Sequence, residues 1–321
     1  MGRPRSLHHL MPGIIEVKQL SKHFRDIKAV DDLSFTVNRG DIYGFLGQNG
    51  AGKSTTIRML LTLVRPTAGS IQLFGHDLPS NRKEILQQVG AVIEKPDLYK
   101  YLTAWENLKL FARLSGVTVS EKKLHEQLEL VGLKDRVDSK VRTFSQGMKQ
   151  RLGIAVALIH DPQLIILDEP VNGLDPQGIA DMRNLILELG RHQGKTILVS
   201  SHLLNEIEMI ANRILIIDKG KKVAEGAVKE LFDPAKMVVE ISVNNPDTAF
   251  AYLRTSKWKD HELGFDRNTI RLQVARQQIP ALTAELVQAQ AEIVSIQPMH
   301  SLESYFLSLT TASRHVGTFT N

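Results

Sequence analysis

The chain has no cysteine among its 321 residues. Disulfide bonds and thiolate metal sites are therefore excluded, and a reducing compartment is the natural setting for such a protein. The chain also lacks any apolar run of the roughly 18 residues that a membrane-spanning helix needs, so no part of it is predicted to cross a bilayer. Hydrophobic residues nevertheless make up 42% of the sequence, which is enough for an ordinary globular core.

Blocks of like charge are also missing. The 40 lysines and arginines exceed the 35 aspartates and glutamates by five, and the basic residues are spread along the chain. Proteins that bind nucleic acid usually concentrate such residues, so no nucleic-acid partner is predicted. Pro4 and Pro12 interrupt residues 1–13 and no apolar segment follows them. This pattern favours a flexible leader, or a start at Met11, over a signal peptide.

The most informative segment follows the apolar run Ile42–Leu46. It fits the phosphate-binding pattern G-x-x-x-x-G-K-[ST] and lies between a predicted strand and a predicted helix, which is the context that the pattern requires. Glycines let the backbone N–H groups approach phosphate, Lys53 is placed to reach the β- and γ-phosphates, and Ser54 is placed to ligate Mg²⁺. The predicted nucleotide site comprises Gly47, Gln48, Asn49, Gly50, Ala51, Gly52, Lys53, Ser54 and Thr55.

An acidic segment downstream completes such a site. The apolar residues Leu164–Leu167 run directly into Asp168 and Glu169. In phosphoryl-transfer sites one carboxylate at this place holds Mg²⁺, and a second polarises the attacking water. Paired acids after a strand are more often a solvated turn, but the phosphate-binding loop upstream favours the catalytic interpretation. We therefore predict Asp168 as a metal ligand and Glu169 as the catalytic base.

Ser145 has both an ordinary and a functional interpretation. It precedes an amphipathic helix predicted to run to about His160, and serine at such a position is a common helix cap. The free N–H groups at the start of that helix are equally suited to bind phosphate. One phosphate-binding loop does not need this helix within its own chain, so the helix becomes useful if two copies face each other.

Four short motifs, taken in order, resemble those of the nucleotide-binding subunit of an ABC transporter: Ser145–Gln150, Asp168–Glu169, Asn172–Asp175 and Ser201–His202. The resemblance covers residues 14 to about 230. It implies that Ser145, Gln146 and Gly147 contact ATP bound to the opposite subunit, and that the loop Asn172–Asp175 joins the two active sites. It also implies that His202 senses the γ-phosphate, although a histidine after a strand is more often a cap or a surface residue.

The same resemblance implies the cofactors and partners. The cofactors are ATP and Mg²⁺, and the partners are a second copy of the subunit and an integral-membrane permease. The chain would then lie at the cytoplasmic face of the membrane as a peripheral subunit. Phe24 stands where the family places an aromatic residue that stacks on adenine; the alternative is a phenylalanine of the core or of a hairpin.

Glu94 departs from the family, which usually has glutamine there in contact with Mg²⁺ and with the membrane partner. A carboxylate is a better ligand for a hard cation than an amide, but it adds negative charge beside the triphosphate. We predict Glu94 as a third metal ligand, with Ser54 and Asp168. The stretch Ile93–Tyr99 resembles the bacitracin-export and lantibiotic-immunity branch, where glutamate is familiar at this position and the permease is a separate polypeptide.

The predicted fold class is α/β: a P-loop NTPase core with an antiparallel β-layer and a helical insertion, plus a small C-terminal α+β domain. Alternating polarity predicts the antiparallel strands, and helical patterns predict the insertion at about 95–160. The expected domains are a nucleotide-binding domain at 14–232 and an accessory domain at 236–321. The accessory domain is predicted to hold strands at Met237–Val243, Thr269–Val274 and Glu292–Ile296 and helices starting at Ile279 and Ser301.

These features predict an ATP-hydrolysing subunit that docks on a separate permease and powers export. Only the branch resemblance suggests peptide antibiotics as the substrates. The first alternative is a soluble ABC ATPase of translation or DNA repair, but such proteins usually carry two units or a long coiled-coil insertion. The second is a nucleotide sensor without catalysis, which the presence of both Lys53 and Glu169 argues against.

Overall fold

A computed structural model of the chain describes residues 13–231 and 237–299. The contacts divide the chain into two compact units, the first ending at Gly226 and the second starting at Ala227. Residues 1–12 of the expected leader and the helix expected from Ser301 lie outside the described residues. Within the described ranges, no helix is long and apolar enough to cross a membrane.

The first unit contains two sheets. Its strands are β1 (Ile15–Phe24), β2 (Ile27–Val37), β3 (Ile42–Leu46), β4 (Ala68–Leu73), β5 (His76–Asp77), β6 (Val89–Ile93), β7 (Leu164–Asp168), β8 (Thr196–Ser201), β9 (Arg213–Asp218) and β10 (Lys221–Ala227). One sheet has the order β2-β1-β4-β5, and its three strand pairs are antiparallel. The other has the order β10-β9-β3-β8-β7-β6, with parallel pairs from β9 to β6. The predicted antiparallel layer and parallel core are both confirmed.

Helices surround these sheets. They are α1 (Lys53–Leu60), α2 (Arg82–Leu86), α3 (Ala104–Leu114), α4 (Glu121–Leu130), α5 (Gln146–Ala157), α6 (Pro176–Leu187) and α7 (Leu204–Ile210). Helices α3 to α5 lie within the predicted insertion. Thr103 forms a capping box with Glu106 at the start of α3, and at the start of α4 the Ser120 hydroxyl accepts a hydrogen bond from the Lys123 backbone. Between α4 and α5 only two short 3-10 turns form.

One hydrophobic cluster joins the two sheets of the first unit. It combines the inward side chains of the antiparallel sheet, such as Leu20 and Phe35, with Phe45 of the central sheet and with Ile57 and Leu60 of α1. All are nearly or completely buried. Since burial of apolar surface is the main stabilising term in folding, this cluster fixes α1 against both sheets. The phosphate-binding loop, which runs from β3 into α1, is thereby held on a rigid support.

The second unit has the strands β11 (Met237–Val243), β12 (Glu262–Asp266), β13 (Thr269–Val274) and β14 (Ile293–Met299) and the helices α8 (Val228–Leu231), α9 (Pro246–Thr255) and α10 (Ile279–Gln288). From β11 onward the order βαββαβ and the sheet order β12-β13-β11-β14 give the ferredoxin-like arrangement. The predicted α+β character is confirmed, and so are the strands β11 and β13. Sequence patterns missed α9 and β12. For β12 the reason is that it is a short edge strand that is mostly exposed.

Helices α9 and α10 of this unit pack on one face of its sheet. Ala249 and Leu253 of α9 and Leu282 and Leu286 of α10 are completely buried and share a core with the inward residues of β11 and β13. Trp258 closes that core at 2% exposure. The second unit therefore has a hydrophobic core of its own.

Candidate functional site

The phosphate-binding loop leaves β3 and enters α1 through Gly52. This residue has φ of +105°, and a Cβ there would lie 2.4 Å from the Ala29 carbonyl oxygen on β2. Only glycine tolerates both the left-handed backbone and this close approach. No side chain caps α1, so the N–H groups of its first turn have no side-chain acceptor. A helix start of this kind is suited to bind an anion such as phosphate.

Lys53, the first residue of α1, lies inside the loop. Its ammonium group donates hydrogen bonds to the carbonyl oxygens of Gly47 at 2.7 Å and Gln48 at 3.3 Å. It also lies 3.1 Å from Glu169 Oε1. The side chain is only 5% exposed, so its charge acts in a region with little water to screen it. A phosphate oxygen that enters the loop would contact the Lys53 ammonium group at the centre of the loop.

Asp168 and Glu169 lie where the carboxyl ends of the parallel strands meet. Asp168 ends β7 opposite Ser200 of β8. The Ser200 hydroxyl donates to Asp168 Oδ1 and also accepts a hydrogen bond from the Glu169 N–H, at 3.0 Å. This single hydroxyl fixes both acidic residues. Glu169 has a left-handed backbone conformation, with φ of +51°, which is costly for a residue with a Cβ.

The second oxygen of Asp168, Oδ2, is buried and has no hydrogen-bond donor within the described part of the chain. A buried carboxylate oxygen without a partner costs free energy unless a cation, or a water bound to that cation, interacts with it. Oxygen ligands are those that Mg²⁺ prefers. The residues present at this edge of the sheet therefore fit a magnesium ion.

Glu169 is held between a cation and an imidazole. One oxygen faces Lys53, and the other accepts a hydrogen bond from Nδ1 of His202 at 2.7 Å. Because the carboxylate accepts, Nδ1 carries the proton and Nε2 remains for another contact. Lys53, Glu169 and His202, the three predicted catalytic residues, thus form one continuous chain of contacts. A carboxylate placed in this way is suited to orient and polarise a water molecule.

The predicted signature Ser145–Gly147 lies at the start of α5. The Ser145 hydroxyl accepts a hydrogen bond from the Met148 N–H at 3.2 Å, so the ordinary interpretation as a helix cap holds within the chain. Among the described residues, no side-chain hydrogen bond or ion pair joins this segment to the phosphate-binding loop of the same chain. The segment instead borders the loop Asn172–Asp175, since a Cβ on Gly147 would lie 3.8 Å from Leu174.

The loop Asn172–Asp175 connects this segment to the acidic residues. The Asn172 N–H donates to the Glu169 carbonyl at 3.1 Å. The Asp175 side chain caps α6 by accepting from the Gly178 N–H. The loop therefore borders the signature through Leu174 and the backbone of Glu169 through Asn172. Ser145, which precedes α5, is exposed.

Phe24 and Glu94 have positions that the sequence did not specify. Phe24 is the last residue of β1, with a side chain 45% exposed and the Lys22 ammonium 4.8 Å from its ring centre. It is therefore no core residue, and it lies on the hairpin whose second strand touches the phosphate-binding loop at Ala29. Glu94 follows β6, and its carboxylate accepts a hydrogen bond from Arg58 of α1.

Sequence reasoning missed three residues around the site: Ser200, Arg58 and Gln150. Ser200 forms a hydrogen bond with Asp168, and Arg58 and Gln150 both form hydrogen bonds with Glu94. In each case the partner is far away in the chain. A serine near the end of a buried strand carries no motif. Only the strand order β8-β7-β6 shows which acidic residue such a serine faces.

The comparisons with known proteins agree with this geometry. The family described as ABC transporter matches residues 30–172. The chain is 42% identical over 301 residues to the bacitracin transport ATP-binding protein BcrA of Bacillus licheniformis, covering 93% of this chain and 98% of that protein. It is 40% identical over 302 residues to the uncharacterized ABC transporter ATP-binding protein YhcH of Bacillus subtilis, covering 94% and 97%.

A solved structure is also similar. It is the ATP-binding cassette MJ0796, described as a dimeric post-hydrolysis state bound to ADP and phosphate. The identity is 25% and the TM-score 0.60, over 67% of this chain and 98% of that one.

Proposed function

Because this chain belongs to the ABC transporter family and is an ATP-binding, ATP-hydrolysing subunit of it, we propose that it powers export through a separate membrane permease. The observation that supports ATP hydrolysis in this proposal is the contact chain Lys53–Glu169–His202 beside the unsatisfied Asp168 oxygen. A nucleotide sensor without catalysis needs a phosphate-binding lysine but has no use for a carboxylate held in this way.

In the proposed reaction the phosphate-binding loop and Lys53 hold the β- and γ-phosphates of ATP. Ser54 and Asp168 would hold Mg²⁺, with Glu94 as a third ligand. The bound metal would neutralise charge on the phosphate oxygens as the β–γ bond breaks. The Glu169 carboxylate orients and polarises the attacking water, while Nε2 of His202 contacts the γ-phosphate. Lys53 exchanges its contact with Glu169 for the phosphate, which frees the carboxylate to act.

The chain would work as a pair. The solved relative MJ0796 is described as dimeric. Ser145 at the start of α5 is exposed and is therefore available to a second copy. Ser145, Gln146 and Gly147 then bind the ATP held by the facing subunit, and Phe24 stacks on the adenine of its own subunit. The pair binds ATP more tightly when closed than when open, and this difference in affinity moves the permease.

Peptide antibiotics are the proposed class of substrate. BcrA of Bacillus licheniformis is named for bacitracin transport and resembles this chain over nearly its full length. The chain would lie at the cytoplasmic face of the membrane, attached to a permease that supplies the membrane spans. Substrate recognition belongs to that permease.

The proposal is tested in two steps. The tagged chain is first purified from detergent-solubilised membranes of its native cells, and its integral-membrane partner is identified by mass spectrometry. The pair is then reconstituted in vesicles, where ATP hydrolysis and the efflux of a bacitracin-type peptide are measured together. We expect the peptide to stimulate hydrolysis and to leave the cytoplasmic side of the vesicles. The matched control is the Glu169→Gln variant, which should assemble with the permease but transport nothing.

Two results would overturn the proposal. Recovery of the chain with ribosomes or DNA repair proteins and without an integral-membrane partner would favour a soluble ABC ATPase. Hydrolysis in the reconstituted pair without movement of any peptide would reject the proposed substrate class and leave the ATPase assignment intact.

A further inference from the structure

Glu94, predicted from the sequence as a third metal ligand, has a specific partner. Arg58 on α1 donates from Nη2 to Glu94 Oε1 at 2.5 Å. In the residues that the structure describes, the Arg58 side chain has no other hydrogen-bond or ion-pair partner. The two residues are 36 positions apart, so the tertiary fold brings them together and no local motif does.

The pair lies beside the predicted metal ligands. Ser54 and Arg58 are four residues apart on α1, so they share one face of that helix, one turn apart. Ile93 at the end of β6 is paired in register with Asp168 on β7. Glu94 therefore follows a strand end that lies next to one predicted metal ligand, while its carboxylate reaches the helix that carries the other.

The backbone of Glu94 is fixed to a different helix, α5. The buried side chain of Gln150 donates to the Glu94 carbonyl at 3.1 Å. Pro96 packs on α5 so closely that a Cβ on Gly153 would lie 2.5 Å from its ring. Segment 94–96 is therefore held against α5, and the Ser145 signature lies at the start of that helix. The Arg58–Glu94 ion pair ties this segment to α1.

We propose that Arg58 is the positioning residue of Glu94. The guanidinium cancels the negative charge that a carboxylate adds beside the triphosphate, and it fixes the Glu94 side chain on the face of α1 that carries Ser54. The inference rests on the proposed ATPase site, in which Arg58 has no assigned role.

The exposure of the two side chains indicates which measurement should respond to loss of the ion pair. The side chains of Arg58 and Glu94 are 42% and 59% exposed, and ion pairs exposed to this degree contribute little to folding stability. Loss of the pair should therefore leave the melting temperature of the nucleotide-free chain almost unchanged. An uncompensated carboxylate beside the phosphates should instead weaken nucleotide binding.

The experiment is a double-mutant cycle on the full-length chain. The variants are Arg58→Gln, Glu94→Gln and the two combined, and the probe is equilibrium binding of a fluorescent ATP analogue with Mg²⁺. We expect Arg58→Gln to bind about tenfold more weakly, which corresponds to roughly 1.4 kcal/mol. The combined variant should bind more tightly than Arg58→Gln alone, because it removes the uncompensated carboxylate together with its partner. Arg58→Lys keeps the charge and should retain most of the affinity.

A matched control is available on the helical insertion. Lys134 and Glu129 form an ion pair at 2.7 Å with side chains 65% and 58% exposed. The variants Lys134→Gln and Glu129→Gln should change neither nucleotide affinity nor melting temperature.

Three outcomes would contradict the inference about Arg58. They are wild-type affinity in Arg58→Gln, a combined variant as weak as Arg58→Gln, and an equal loss in the Lys134 control. If the wild-type chain binds the analogue and Lys53→Ala does not, each of these outcomes contradicts only the inference about Arg58 and leaves the ATPase assignment intact. A wild-type chain that fails to bind the analogue would overturn the ATPase assignment, and this inference with it.

Discussion

At the scale of single residues, Glu169 has the most constrained environment of the site. Lys53 and His202 hold its two oxygens. We expect Glu169→Gln to keep this shape while losing the charge that polarises water. ATP should still bind, and hydrolysis should fall by at least about a hundredfold, the lower range for loss of a general base. Phosphate release and nucleotide binding, measured on the same preparation, check this.

Lys53→Ala provides the contrast. It removes the cation that meets the phosphates, so binding and hydrolysis should fall together. If Glu169→Gln hydrolyses ATP at the wild-type rate, another group is the base.

Ser200 is a second residue whose loss should be costly. Its hydroxyl donates to Asp168 and accepts from the Glu169 backbone, and it is completely buried. Groups that orient a metal ligand typically affect metal affinity or activity ten- to a hundredfold. We therefore expect Ser200→Ala to raise the Mg²⁺ concentration for half-maximal hydrolysis by about tenfold.

The adjacent Ser201 is the control for Ser200. It is equally buried, but its hydroxyl accepts from the Leu203 N–H and contacts neither acidic residue. Ser201→Ala should leave the Mg²⁺ dependence unchanged. An equal shift in both variants would mean that a general loosening of β8 is being measured.

At the scale of elements, two helices of the insertion begin with the same type of cap. Ser145 caps α5 and Ser120 caps α4, each through its hydroxyl. Replacing either serine by arginine removes a cap worth about 1 kcal/mol. We expect both variants to melt at a similarly lowered temperature, whereas only Ser145→Arg abolishes hydrolysis, because its side chain blocks the facing nucleotide.

Monomer binding distinguishes the two roles of Ser145. Ser145→Arg should bind ATP almost as the wild type does, since the signature serves the partner's nucleotide. A collapse of monomer affinity would show that Ser145 acts within its own chain, and the paired arrangement would lose its support.

In the second unit, one carboxylate links two helices. Glu285 of α10 accepts hydrogen bonds from Lys257, from the Trp258 indole and from the Tyr252 hydroxyl of α9. Chiefly through Lys257, then Trp258 and Tyr252, these contacts lower the pKa of Glu285 to about 2 from an ordinary 4.5. A lowered pKa stabilises the fold above the ordinary value, and this contribution is lost as the pH falls from about 4.5 towards 2.

Trp258 provides the measurement. The chain has two tryptophans, so the Trp105→Phe variant keeps a single tryptophan, Trp258. The fluorescence of this variant therefore reports on the core of the second unit. In that background we expect Glu285→Gln to unfold at lower denaturant at pH 7 and to lose less stability on acidification than its parent. Glu240→Gln, which removes only an exposed ion pair with Arg271, is the control. An unchanged acid dependence in Glu285→Gln would contradict the assignment.

At the scale of the whole molecule, the expected unit of function is a pair of chains. A variant that binds ATP without hydrolysing it should accumulate in the closed state, since only hydrolysis reopens it. We expect Glu169→Gln with Mg²⁺ and ATP to roughly double its mass from the 35.9 kDa of one chain. Light scattering after size-exclusion chromatography measures this, and Lys53→Ala should stay at the single-chain mass. A Glu169→Gln chain that remains single would argue against the paired arrangement.

The sequence by itself determined the parts of this protein that depend on local pattern. The phosphate-binding loop, the strand that ends in Asp168, the start of α5 at Ser145 and the strands β11 and β13 could all be located from residue type and spacing. Glycine conformations, helix caps and alternating strands depend on near neighbours in the chain, so they are visible without a fold.

Only the tertiary structure decided which of these parts meet. Ser200 faces Asp168 because β7 and β8 are adjacent, and Arg58 reaches Glu94 because α1 lies beside the end of β6. The edge strand β12 escaped detection because its pairing with β13 defines it, whereas its own pattern does not. The first two contacts join residues 32 and 36 positions apart. They arise from strand order and from burial of a shared core, which no local pattern encodes.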